Sequence, residues 1–346
     1  MIYRAKYVLP MDGRVIDDGE VLVQDGEIRG VGEGLINAHP SEELCELPDC
    51  ALLPGFVNAH SHIDFTTSRN AHNGLNLWDW LDRVSYNKLR KPVYDQVLDS
   101  AVTGASELAR SGVTCLGDCS PTGAAAEAMT QVGLRGIVYR EIFGQSMGAD
   151  YRAKFEQAIE EARDLQSRQS PLVQIGISPH AIYSSNREVL ELTAATYAEL
   201  NIPVAVHAAE TEAERDYSLS GTGPIAEWRR TLGYEPMVTG LTPVRYLEDV
   251  GLLRKGVYLA HCVHVSDEEI DLIARSGTGV AHCARSNAYL GCGVAPVPKL
   301  IRSGVCMGLG TDGPASCLTL DFFDEMRFAL AIHRALAKDA GVITAK

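Results

Sequence analysis

The chain has 346 residues, 46% apolar and 22% charged, a composition ordinary for a globular protein and a length that can bury a large core. Its formal net charge of -14 argues against a nucleic-acid partner, which needs clustered Lys and Arg to meet the phosphates. No apolar run reaches the roughly 18 residues of a membrane span, and the opening MIYRAKYVLPMDG has no apolar signal region, so no membrane association is expected. Nine cysteines, an odd number without C-x-x-C spacing, sit mostly in or beside apolar runs, which reads as buried reduced thiols in a cytoplasmic protein.

Residues 1–50 read as a small N-terminal β module. Short strands at 2–9, 20–24 and 27–31 are expected to break at Asp12-Gly13, Asp18-Gly19 and Asp25-Gly26, since Asp-Gly is a strong turn signal. From Ala51 onward (51–346) strand and helix alternate. Apolar, β-branched runs lie near 51–59, 113–118, 134–142, 172–178, 203–207, 257–261, 279–283 and 305–310. Helical patterns lie between them at 92–111, 123–132, 151–167, 187–200, 243–250, 267–275, 296–302 and 318–338. Capping boxes are expected at Ser185 with Glu188, Thr211 with Glu214 and Ser266 with Glu269, and Pro92 suits a first helical turn. Eight continuous apolar strands alternating with helices imply an α/β fold, a (β/α)8 TIM barrel. An open doubly wound sheet competes, but no G-x-G-x-x-G follows the early strands.

Barrel enzymes carry their chemistry at the C-terminal ends of the strands. The first run ends in His60-x-His62; residues i and i+2 of a strand point the same way, so both imidazoles can grip one ion from one side. His180 ends the fourth strand, His207 and then Glu210 the fifth, His261 the sixth and Asp312 the eighth. Any one of these alone reads as a hydrogen-bonded structural residue, and Asp312 as a helix cap. As a set on the strand ends of one barrel they read as a metal site.

The segments PGFVNAHSHID, SGVTCLGD, ISPHAIYS, HAAETEAE, LAHCVHV, ARSNAYLGCGVAPVPKL and GLGTDGPAS resemble the amidohydrolase superfamily in its mononuclear deaminase branch, from the β module to the end of the chain. The resemblance implies one divalent metal ion held by His60, His62, His207 and Asp312; zinc is expected, although histidine and carboxylate also suit iron or manganese. It implies Glu210 as proton shuttle and His261 as polarising partner of the bound water. His180 resembles a substrate-contacting histidine of the family. Arg140 with Glu141, in YREIFG, and Trp80 with Trp78, in LNLWDWL, are further candidates for substrate binding. The strand LVQIGISPHAIY contains no lysine of the kind that bridges two metals in binuclear relatives, so one metal is expected.

The implied activity is hydrolytic deamination of an amino-substituted heterocycle, releasing ammonia. The stretch GTGPIAEWRRTLGYEPMVTGLTPVRYLEDVGLL leans toward modified adenine nucleosides: 6-aminodeoxyfutalosine, of the menaquinone pathway, then S-adenosylhomocysteine and methylthioadenosine. A guanine-type deaminase or s-triazine chlorohydrolase on the same barrel is the alternative, and a non-catalytic metal-binding barrel is an alternative of another class. Two departures stand out. DRVSYNKLRKP lacks the ribose-binding glutamate of some relatives, and the chain stops at GVITAK where relatives continue, so the C-terminal half of the β-sandwich is expected to be missing. The expected partner is a small aminated heterocycle or nucleoside; a homo-oligomer is compatible with the sequence.

Overall fold

Alternating apolar residues near the N-terminus pair into a small sheet. In the computed structural model, which describes residues 1–89 and 93–344 (the side chains of 85–89 and 146 excepted), β1 (Ile2–Val8), β2 (Ile16–Gln24), β3 (Glu27–Gly32) and β4 (Leu44–Leu52) lie in the order β3-β2-β1-β4. β1 runs antiparallel to β2 and parallel to β4. Ala5, Val8 and Val21 form the apolar centre, with Ile16, Val23, Val31, Leu47 and Leu52 packed around it. Asp25-Gly26 turns β2 into β3 with both residues at positive φ, 52° and 76°, as a two-residue hairpin requires. Asp18-Gly19 does not break the strand as expected. β2 continues through it because Gly19 admits a close approach of β1; a Cβ there would lie 2.8 Å from Val8 Cγ2.

The run ALLPGFVNAH also divides, where a single strand was expected. Ala51 and Leu52 finish β4, and β5 (Phe56–Ser61) begins only after Pro54-Gly55, because proline has no N–H to give a ladder. The chain forms two compact units, Met1–Phe56 and Val57–Ile343.

The larger unit is the barrel. β5, β6 (Val113–Ser120), β7 (Arg135–Glu141), β8 (Val173–Ser178), β9 (Val204–Ala208), β10 (Val257–His261), β11 (Gly279–His282) and β12 (Met307–Leu309) follow one another in space as in sequence. The pairings from β6 to β12 are parallel. The ring closes where Ser61 bridges to Asp312, with Asp312 N–H donating to His60 O at 3.0 Å. Close strand contact again depends on glycine. Gly136 has φ 144°, and a Cβ there would sit 1.9 Å from Leu116 O.

Helices cover the outside. The helix Asp267–Ser276 opens with the full Ser266/Glu269 capping box. Thr211 caps its helix by accepting from Glu214 N–H, but the Glu214 carboxylate turns to Glu210 N–H. Ser185 is not the cap expected of it; Asn186 is, accepting from Val189 N–H. Pro92 lies outside the described residues, as does part of DRVSYNKLRKP. Several helices lie outside the expected ranges, among them Leu77–Leu89, Gly223–Thr231 and Glu212–Ser220, of which only the Thr211/Glu214 start was expected. Leu77, Leu81, Tyr217, Ile225 and Ala226 from these helices pack with Tyr183 and Leu290 into one apolar cluster, which presents Leu77, Leu81, Tyr183 and Leu290 to a cavity at the C-terminal mouth of the barrel.

Candidate metal centre

The strand ends bring distant residues to one point. Five non-glycine residues there, His180, Ala209, His261, Cys262 and Asp312, have φ between 45° and 76°. This left-handed backbone is costly for residues with a Cβ, and it turns the chain sharply as it leaves the strands. The His62 and His207 Nε2 atoms lie 3.1 Å apart. Asp312 Oδ1 lies 3.8 Å from His60 Nε2 and 3.6 Å from His62 Nε2. The ring centroids of His60 are 4.9 Å from those of both His62 and His207.

Each imidazole is oriented from behind. His62 Nδ1 donates to Cys119 O at 2.7 Å and His207 Nδ1 to His180 O at 3.1 Å, which leaves Nε2 as the unprotonated nitrogen in both rings. His60 Nδ1 pairs with the Tyr258 hydroxyl at 3.1 Å, and Gly310 makes room for this ring, since a Cβ there would meet His60 Cβ at 2.8 Å. His60 Nε2 is buried without a hydrogen-bond partner. Burial, then the neighbouring imidazoles, hold His60 well below the usual histidine range and His207 at about 3, so both are neutral. Burial alone would raise the Asp312 carboxyl, but His62, His261 and the Ser286 hydroxyl outweigh it and keep it an anion. Ser286 Oγ donates to Oδ2 at 2.5 Å, and Gly313 N–H to Oδ1 at 2.7 Å.

An unpartnered buried nitrogen, two imidazole nitrogens in near contact and a carboxylate fit a divalent cation. His60, His62 and Asp312 could hold it with His207 beside them. Cys119 is also grouped with His60 and His207, but burial pushes its thiol well above the usual cysteine range, and it faces His60 Nδ1, which is already engaged with Tyr258.

The chain matches the model of the amidohydrolase family over residues 51–346. The chain belongs to the amidohydrolase family. It is 32% identical to a 5-methylthioadenosine/S-adenosylhomocysteine deaminase of Thermodesulfovibrio yellowstonii, over 100% of this chain and 76% of that protein. It is similar to the crystal structure of an adenosine deaminase from Xanthomonas campestris with bound zinc, at TM-score 0.81 and 28% identity, over 98% of this chain and 75% of that one. The Helicobacter pylori aminofutalosine deaminase in complex with methylthio-coformycin shares the fold, at TM-score 0.84 and 20% identity over 95% and 81%.

The other residues of interest divide between the cavity and its surroundings. His62, Trp80, Glu141, His180, His207, Glu210, His261 and Asp312 line the cavity, while His60 lies beneath them, fully buried. Glu210 is buried, and burial, with Asp312 adding to it and His261 opposing it, raises its carboxyl above the ordinary range. Its Oε1 is 3.7 Å from His261 Nε2. His261 Nδ1 is held at 3.0 Å by Asn287 Oδ1, and His180 Nδ1 at 2.6 Å by Ser184 Oγ. Trp80 Nε1 donates to Ala315 O at 3.2 Å, and Trp78 packs against the apolar cluster.

Arg140 is not brought to the cavity wall. It donates to Pro121 O and Glu141 O and lies 3.7 Å from Glu161, because alternate residues of β7 face opposite ways and Glu141 takes the inward place. The sequence reading gave no role to Tyr258, Ser286 or Asn287. Ser286 and Asn287 lie within ARSNAYLGCGVAPVPKL, and that family resemblance was the signal for them.

Proposed function

We propose that this protein is a metal-dependent hydrolytic deaminase of an amino-substituted heterocycle, an adenine-type nucleoside in the first place, with zinc as the resident metal. The observation that carries this reading is the pair of buried acids of opposite character at one cavity. Asp312 is held ionised among imidazoles, and Glu210 has its carboxyl raised by burial. Hydrolytic deamination needs two such groups, one to take a proton from the attacking water and one to deliver a proton to the ring. A metal held by His60, His62, His207 and Asp312 would supply a water acidified near neutral pH.

The chain's own residues supply the rest. Asp312 accepts a proton from the attacking water. Glu210 holds a proton for a ring nitrogen and exchanges it again as the amine departs. His261, fixed by Asn287, faces Glu210 and the reacting centre and stabilises charge that develops there. The products are ammonia and a ring carbonyl: one proton of the water ends on the ring nitrogen and the other on the departing nitrogen. Relatives named for methylthioadenosine and S-adenosylhomocysteine support the nucleoside class. The free cysteines support a cytoplasmic setting, and no helix among the described residues is long and apolar enough to cross a membrane.

The test is metal content together with ammonia release from a panel of aminopurine nucleosides. His207→Ala is expected to lose the metal. Glu210→Gln is expected to keep it and to lose about 100-fold or more in turnover. Full activity in Glu210→Gln, or stoichiometric metal with no ammonia from any aminated heterocycle, would refute the proposal.

A further inference from the structure

Glu141 ends β7 and lines the cavity, with only 3% of its surface exposed. Neither of its carboxylate oxygens has a hydrogen-bond partner among the described residues. The buried carboxylates of Asp64 and Asp118 differ in that one oxygen of each is met, though their Oδ1 atoms have no partner among the described residues either. Asp64 is met by Ser120 and Thr122, both at 2.7 Å, and Asp118 by Ser61 and by Ile63 N–H at 2.9 Å. His180 Nε2 lies 3.9 Å from Oε1 of Glu141, beyond hydrogen-bond reach. A buried carboxylate without donors is costly, and such a group in a native cavity points to a ligand that brings the donor.

The position of Glu141 narrows what that donor can be. A carboxylate oxygen of Glu141 and ring nitrogens of His62 and His207 all lie within 4.8 Å of one another, so Glu141 borders the metal centre itself. It therefore faces the part of the substrate that reacts, not the substituent at its far end. Carboxylate oxygens accept hydrogen bonds. The ring nitrogens of an adenine-type base are acceptors, and its one strong donor is the exocyclic amine, the group that leaves.

We infer that Glu141 is a further catalytic residue, whose carboxylate accepts an N–H of the departing amine; this rests on the deaminase reading above. In the step it serves, the C–O bond to the attacking water has formed and the C–N bond breaks. The nitrogen takes a proton delivered by Glu210 and leaves as ammonia, and the electron pair of the C–N bond goes with the nitrogen. Glu141 neither gains nor loses a proton. Its charge makes the nitrogen more basic and stabilises the positive charge that nitrogen carries as it leaves.

The test compares Glu141→Gln with the wild type on an adenine nucleoside and on its 6-chloro analogue, whose leaving group has no N–H. The expected result is a fall of about 30-fold in kcat for deamination with KM changed less than about threefold, as for the loss of one transition-state contact. The constant for the chloro analogue, read as a substrate or as a competitive inhibitor, is expected to stay within about threefold on the same ground. Metal content is expected to stay at the wild-type level. Equal effects on both compounds would overturn the inference, as would unimpaired deamination, since glutamine can donate where a carboxylate cannot. Loss of the metal would overturn it by making Glu141 a ligand together with His62 and His207. Absence of ammonia release by the wild type from any adenine nucleoside would instead remove the deaminase reading and this inference with it.

Discussion

The helix Ala284–Tyr289 orders the site through three consecutive residues, and its anchor can be cut. Arg285 is buried against Glu325, with Nε 2.7 Å from Oε2. Arg285 N–H reaches Oε1 at 3.3 Å, and Nη2 reaches Thr319 O at 2.8 Å. The next two residues hold Asp312 and His261. Burial, opposed by Arg285, raises the Glu325 carboxyl to about 7, so at pH 8 the pair is ionised. Glu325→Ala then leaves a buried guanidinium with one carbonyl and strands a backbone N–H, a loss of about 3–5 kcal/mol. Glu325→Gln keeps an acceptor for Nε and is expected to cost about 1–2 kcal/mol. Urea unfolding at pH 8, with the metal saturating, reads both as a shift in midpoint at constant slope. Turnover should fall in the same order, because Ser286 and Asn287 lose their fixed place. A Glu325→Ala protein within about 0.5 kcal/mol of the wild type, below the range expected for a broken buried pair, would refute this assignment.

Asn287→Ala frees the His261 ring and is expected to lower kcat about 10- to 100-fold with metal content unchanged, checked by steady-state kinetics beside metal analysis. Gly136→Ala would push a Cβ to within 1.9 Å of Leu116 O and should cost at least about 3 kcal/mol, or abolish soluble expression, in a thermal melt against the wild type. Burial lifts the Glu214 carboxyl to about 8, so between its ordinary range and that value the folded state keeps a proton the unfolded chain has released. Stability should therefore fall as pH rises from about 5 to 8, by up to about 1.4 kcal/mol per pH unit, and Glu214→Gln should flatten that slope in urea titrations across the range.

The alternation of strand and helix was legible because each parallel strand is buried on both faces and so reads as an unbroken apolar run. The inserted helices were not, since Leu77–Leu89 and Gly223–Thr231 carry their apolar faces over the cavity instead of along a regular barrel repeat. His60 and His62 were legible because residues two apart at a strand end point the same way, and His62 follows β5 by one residue. The supports behind them were not, because a tyrosine hydroxyl or an asparagine amide in a helical turn looks like any surface or core residue until the fold sets it opposite an imidazole. For the same reason the sequence could place Arg140 and Glu141 at a strand end but could not say which of the two faces inward.

The central claim is that four side chains, far apart in sequence, share one cation. An anomalous-scattering map at the zinc edge, from crystals grown with zinc, tests it directly. A single strong peak is expected about 2.0–2.2 Å from Nε2 of His60, His62 and His207 and from a carboxylate oxygen of Asp312. A peak bound elsewhere, such as at the buried His282 and His333 pair whose Nε2 atoms lie 3.0 Å apart, with no density among those four residues, would contradict it.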